Sequence, residues 1–167
     1  EARLVVIGSG ERRRRLEDLA RRLDQPVLFL GAVPDDEKVR WLNRAHLVLN
    51  PSEKEGWGLV GLEAMACGTP VVASDVQGHR DSIPEGRGLL CPPRDPEAMA
   101  RQALRLLPDP ELYASMRSAG LRWARRFSWD DVAARVYEIM RRVAGTTAGV
   151  DPVATAAPAA FLAEEVA

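Results

Sequence analysis

Four short apolar runs, VVI at 5–7, VLFL at 27–30, LVL at 47–49 and VVA at 71–73, alternate along the chain with stretches that read as helices. This alternation restricts the fold more than any other feature. Runs this short, apolar at every position and ended by glycine or turn residues, are expected of strands buried on both faces. Strands that alternate with helices imply right-handed crossovers and a parallel sheet covered by helices on both sides. The expected fold class is therefore α/β, a Rossmann-like parallel sheet with helices on both faces.

The same reading places the elements. Strands are predicted at Arg3–Ile7, Val27–Leu30, within HLVLN, at Val71–Ser74 and near Gly88–Leu90. Helices are predicted over about Arg12–Leu23, from the Pro34-Asp35-Asp36-Glu37 start to about Ala45, and over Gly58–Cys67. Three more follow, at about Asp95–Leu107, Pro110–Phe127 and Trp129–Val143, the last with Ser128 as its N-cap. Gly68 is placed for a left-handed C-terminal cap, with Pro70 just beyond. Residues 1–143 are expected to form one domain. Residues 144–167, rich in Ala, Gly, Thr and Pro, are expected to be a loosely ordered tail with at most a short helix at Ala159–Val166. The chain opens directly on a strand, as expected of a piece whose start lies upstream.

Composition excludes several function classes. A net charge of −1 gives no global field toward nucleic acid or an anionic membrane. The basic run Arg12–Arg15 lies in an amphipathic segment whose apolar face is Leu16, Leu19, Ala20 and Leu23, and it reads as a solvated helix face. Cys67 and Cys91 form no C-x-x-C, and each adjoins an apolar stretch, which predicts buried free thiols in a reducing compartment. His46 and His79 are far apart in sequence and suggest no zinc site. No metal and no nucleic-acid partner is expected, and no segment approaches a membrane span.

The chemistry concentrates in EKEGWGLVGLEAMACGTPVVA, residues 53–73. In an open parallel sheet, ligands bind beyond the carboxyl ends of the strands. The loop Asn50–Trp57 leaves such an end and enters a helix near Gly58. The first turn of that helix carries free N–H groups at a positive dipole end, which suits a phosphate. Gly56 and Gly58 let the backbone come close to a ligand because they lack a Cβ. Glu63 follows in the second turn, and helical side chains lean toward the N-terminus, so its carboxylate reaches back toward that ligand. Its helical neighbours are apolar on every side, so Glu63 is expected to be buried and to need a partner. Either an internal arginine or ligand hydroxyls would serve. Glu55, taken alone, reads as an ordinary loop acid.

Gly56, Gly58 and Gly61 also spell G-x-G-x-x-G, with Asp75 at the end of the next strand where a ribose-binding acid would stand. Context argues against a dinucleotide site. Pro51–Glu55 intervenes between strand and motif, and the motif falls in the third strand–helix unit. The earlier Gly8-Ser9-Gly10 has Arg13 in place of the third glycine.

With Glu55 and Glu63 separated by seven residues, EGWGLVGLEAMACGTPVVASD resembles the signature of the retaining glycosyltransferases of family 4, which have the GT-B fold. LVVIGSGE, FLGAVPDDEKV, LNRAHLVLNPS, GRGLLCPPRDPEAMA and FSWDDVAARV resemble, in family order, the C-terminal, donor-binding half of such an enzyme. The resemblance implies that Glu55 contacts the transferred sugar near the reacting carbon. It implies that Glu63 holds the ribose hydroxyls, and that the amides of Gly56, Trp57, Gly58, Leu59 and Val60 meet sugar and diphosphate. Val33, Asp35 and Lys38 match the loop that cradles the base. Trp57 stands where the family more often has Phe.

The resemblance further implies a UDP- or GDP-linked hexose as donor, with no cofactor and no metal. It puts a diphosphate-clamping Arg and Lys upstream of Glu1, together with an N-terminal acceptor domain. It implies a cytoplasmic protein that meets the inner membrane face only through that upstream half. The alternatives weighed beside it are a nucleotide-binding module without catalysis and a GT-B-fold sugar epimerase.

Overall fold

A computed structural model describes residues 2–143, so the reading of the tail at 144–167 lies outside the described residues. Among the described residues five strands and seven helices follow in the order β1 (Leu4–Ile7), α1 (Arg13–Arg22), β2 (Val27–Gly31), α2 (Asp35–Arg44), β3 (Val48–Asn50), α3 (Leu59–Ala66), β4 (Val71–Ser74), α4 (Gln77–Ser82), β5 (Leu89–Cys91), α5 (Pro96–Leu106), α6 (Pro110–Ala124) and α7 (Trp129–Val143), strand and helix alternating as far as α5. Two compact units divide between Phe127 and Ser128. The second is α7, started by Ser128, whose Oγ accepts from the Asp131 N–H at 3.0 Å as an N-cap.

Every strand pair is parallel, as the alternation requires. The ladders form two sheets, β1–β2 and β3–β4–β5, where the sequence suggested one. β2 feeds α2, and the strand that returns pairs with β4 instead of β1 or β2. β1 and β3 thus each pair on one side only among the described residues.

The core gathers on the second sheet. Val71, Val72, Ala73 and Ser74 of β4 are all buried, between α3 on one side and α5 on the other. Met65 of α3 packs with Val71, Ala73 and Ile83, while Leu106 of α5 packs with Val72 and Cys91. Removing one such side chain from water stabilises the fold by roughly 1.5–3 kcal/mol. Two glycines allow the close approach. A Cβ on Gly61 would stand 2.9 Å from Ile83 Cδ1, and one on Gly120 of α6 would stand 3.0 Å from Met65 Cγ.

Local rules set the helix ends. Asp95 accepts from the Ala98 N–H at 2.7 Å and Asp109 from the Leu112 N–H at 2.9 Å, each followed by a proline suited to the first helical position. Gly68 is left-handed at φ +73° and ends α3, as its placement predicted. The sequence reading missed α4. Six residues are too few for a 3.6-residue period to show, and QGHRDS carries no apolar stripe.

Candidate donor-binding site

The loop after β3 is tied down at several points. Asn50, buried at the strand end, accepts from the Ser52 hydroxyl at 2.8 Å. Glu53 meets Arg94 in the turn after β5. The Trp57 ring lies edge-on to Phe127 at 4.9 Å, and Phe127 lies edge-on to Trp123 at 5.1 Å. Trp123 in turn donates its Nε1–H to the Ser82 carbonyl at 2.9 Å. An aromatic stair thus fixes the loop to α6 and α4.

The two loop glycines have different reasons. Gly58 is the N-cap of α3 at φ +83°, ψ +45°, a left-handed conformation that costs other residues strain. A Cβ there would stand 2.6 Å from Ser82 Oγ and 2.7 Å from His79 Cδ2. Gly58 is therefore demanded by the fold itself, and not by ligand clearance alone. A Cβ on Gly56 would meet nothing within 4 Å, so no packing contact among the described residues requires a glycine there.

From Gly58 the chain enters α3. The first bond of the turn runs from the Gly61 N–H back to the Gly58 carbonyl at 3.0 Å, which leaves the Leu59 and Val60 N–H groups ahead of the helical ladder. The side chains of Leu59 and Val60 are about half exposed. Glu63 follows, 39% exposed, and accepts from Lys38 Nζ at 3.0 Å. The expectation that α3 is buried all round is corrected here. Only Gly61, Ala64 and Met65 are buried, because α3 packs on the sheet with one face and turns its first turn outward. Glu63 thus has a partner, but at the rim of the site, and the partner is a lysine and not an arginine.

Lys38 lies in α2, and its Nζ also stands 3.1 Å from Asp35. The hydrogen bond to Glu63, ahead of the opposing effect of partial burial and the help from Asp35, raises its pKa above the ordinary lysine value. Val33 is half-buried in the link from β2 to α2, and Asp35 is exposed. The two segments are distant in sequence, and one ammonium joins them. On the other flank of α3, Glu55 is 27% exposed, and its Oε2 is 3.8 Å from the Nε2 of fully buried His79. The structure therefore brings Glu55, Gly56, Trp57, Gly58, Leu59, Val60 and Glu63 together around one helix start, with Lys38 and Asp35 at its edge.

Residues 1–109 match the family model described as "Glycosyl transferases group 1". The chain belongs to the group 1 glycosyl transferases. It is similar to a D-inositol 3-phosphate glycosyltransferase of Corynebacterium urealyticum, 40% identical over 138 residues, which are 80% of this chain and 32% of that protein. It is similar in structure to sucrose-phosphate synthase from Thermosynechococcus elongatus, with TM-score 0.78, 32% identity, and coverage of 86% of this chain and 39% of that one. It also resembles Anabaena Alr3699/HepE, solved in complex with UDP and glucose, with TM-score 0.75, 26% identity, and coverage of 83% and 40%. The fold is that of GT-B glycosyltransferases. The chain spans about a third of the length of the curated relatives it matches.

In this group 1 glycosyl transferase the dinucleotide reading loses its acid. Asp75 is held by Arg80, Nε at 2.6 Å and Nη2 at 3.2 Å, and that hydrogen bond keeps its carboxyl below the usual range. The cysteines are free, Cys91 buried and Cys67 half-buried, and burial pushes both thiols up. Sequence reasoning missed Gly78, His79, Ser82, Phe127 and Trp123, which support the loop from behind. No motif marks them, because their contribution is contact with a loop more than twenty residues away.

Proposed function

We propose that this chain is the donor-binding part of a retaining family 4 glycosyltransferase, whose full-length form transfers a hexose from a UDP- or GDP-sugar to a glycan, lipid or small acceptor. The Lys38–Glu63 bridge carries this reading. It joins the segment proposed to cradle the base to the carboxylate proposed to hold the ribose, and that carboxylate lies one turn beyond the start of α3, where a diphosphate is favoured. Val33, Asp35 and Lys38 then face the base, and Glu63 accepts from the ribose hydroxyls. The amides of Gly56 to Val60 meet sugar and diphosphate, and Glu55 meets the sugar near the reacting carbon. HepE, solved with UDP and glucose on the same fold, supports a uridine nucleotide as the first donor to test.

Departure of the diphosphate develops negative charge, which positive groups and oriented amides stabilise. The α3 amides supply part of that in this chain. The remainder, with the acceptor site, is assigned to the rest of the parent protein, which is also assigned to the cytoplasm. The match to only about a third of the length of the curated relatives supports a larger parent. No metal or cofactor is proposed for the reaction.

Calorimetric titration with UDP-, GDP- and ADP-sugars tests the reading. Residues 1–167 are expected to bind one class and to transfer no sugar. Glu63→Gln is expected to weaken nucleotide binding by about 1–3 kcal/mol, the cost of losing a charged hydrogen bond. Unchanged affinity would reduce Glu63 to a structural partner of Lys38.

A further inference from the structure

His79 has no role in the reading above, yet its environment is unusual. Its side chain is fully buried in α4. Nδ1 lies 2.8 Å from the Ser74 carbonyl, which can only accept, so Nδ1 carries a proton. Nε2 is buried with no hydrogen-bond partner. A buried polar atom left unmatched is costly and calls for an explanation. Glu55 Oε2 stands 3.8 Å from it.

The packing aims this atom. Gly78, beside His79, lies so close to the loop that a Cβ on it would stand 2.4 Å from the Glu55 carbonyl oxygen. Gly58 covers the other edge of the ring, where its own Cβ would meet Cδ2 at 2.7 Å and Nε2 at 3.5 Å. Ser82 donates its hydroxyl to the Gly78 carbonyl at 3.0 Å and so stays within α4. The floor beneath residues 55–58 is therefore apolar or self-satisfied except at one nitrogen, which faces Glu55.

We propose that His79 is a positioning residue for Glu55: when donor sugar is bound, Nε2 carries a proton taken up from solvent and donates it in a hydrogen bond to the Glu55 carboxylate, the two atoms closing to hydrogen-bond distance. This holds one carboxylate oxygen at the back of the site and turns the other toward the sugar. It follows from the proposed contact of Glu55 with the donor sugar. It assigns no direct contact to His79 itself, which is sealed from the ligand.

Two substitutions separate this role from simple core filling. His79→Asn keeps a donor at the Nδ1 position for Ser74 and lacks Nε2. His79→Gln keeps a donor near Nε2 and loses the bond to Ser74. In the full-length protein, with folding checked by thermal melt, His79→Asn is expected to lower kcat by about 10- to 100-fold, the usual effect of misplacing a reacting group. UDP affinity should stay within about twofold, since UDP lacks the sugar. His79→Gln should retain more activity, and His79→Asn should have no further effect in a Glu55→Gln background. If His79→Asn matches or exceeds His79→Gln, the bond to Ser74 is what matters and the proposal fails. A crystal structure of the wild-type protein with nucleotide sugar gives a second reading that needs no variant. Nε2···Oε2 should shorten to about 3 Å, and a carboxylate turned away from His79 overturns the proposal. If the wild type binds no nucleotide sugar, the donor-binding function falls and this inference with it; wild-type binding with an indifferent His79 overturns only the inference.

Discussion

The two sheets are written in nearly the same residues and behave differently. VLFL of β2 and VVA of β4 are equally apolar, yet Leu28 is 40% exposed while all of β4 is buried. α1 lies along β2 but leaves Leu16, Leu19 and Leu23 largely uncovered. β4, by contrast, has α3 and α5 on opposite faces and a strand on each side. An apolar run states that burial is favourable, and the neighbours available decide whether it happens. The candidate site is built at the well-covered sheet, with only the Val33–Lys38 segment contributed from the exposed one.

The largest expected break in this contrast is Met65→Ala. Met65 is 1% exposed, and truncating such a side chain costs about 2–5 kcal/mol, read as a loss of thermal stability and of nucleotide binding together. Gly58→Ala is expected next, at about 1–3 kcal/mol from overpacking plus the strain of a left-handed alanine, checked by urea unfolding. Leu28→Ala on the exposed sheet should cost no more than about 1 kcal/mol. A value near that of Met65→Ala would show that β1–β2 is as well supported as β4.

The smallest effect is expected for Lys38→Met, about 0–1 kcal/mol in stability, because the pair with Glu63 is partly solvated. The sign with pH follows from the raised lysine pKa. The Lys38 contribution is complete below the ordinary value of 10.5 and is lost as pH rises above it through the folded value. The difference between wild type and variant should therefore hold steady from about pH 7 to 9 and shrink above about 10.5. A difference that shrinks already between pH 7 and 9 would mean that Lys38 is not held as the structure shows.

Much of the fold was legible because it rests on local rules. The four apolar runs located β1 to β4, a fifth strand was placed near Gly88–Leu90, and Ser128 and Gly68 marked helix ends by chemistry that works within a few residues. The division into two sheets was not legible, since it depends on which strand returns beside which. In the site, Glu63 stood out as an acid in an apolar helix, Glu55 alone read as an ordinary loop acid, and the suggested roles of both came from resemblance. The exposure of Glu63 could not be read, because an apolar helix looks the same whether its first turn faces the core or the rim. For His79 the sequence excluded only a zinc site; its bond at Nδ1 and the unmatched Nε2 are visible only once α4 and the loop are placed together.

The contact between Gly78 and the Glu55 carbonyl has a dynamic consequence. With no space between them, the loop cannot settle closer to α4 unless α4 moves, and α4 is joined through Ser82 to Trp123 of α6. Binding loops generally belong to the least protected part of a protein. Here the amides of Gly56 and Trp57, which have no acceptor among the described residues, should exchange with solvent deuterium far faster than those of β4, and a bound donor should slow them.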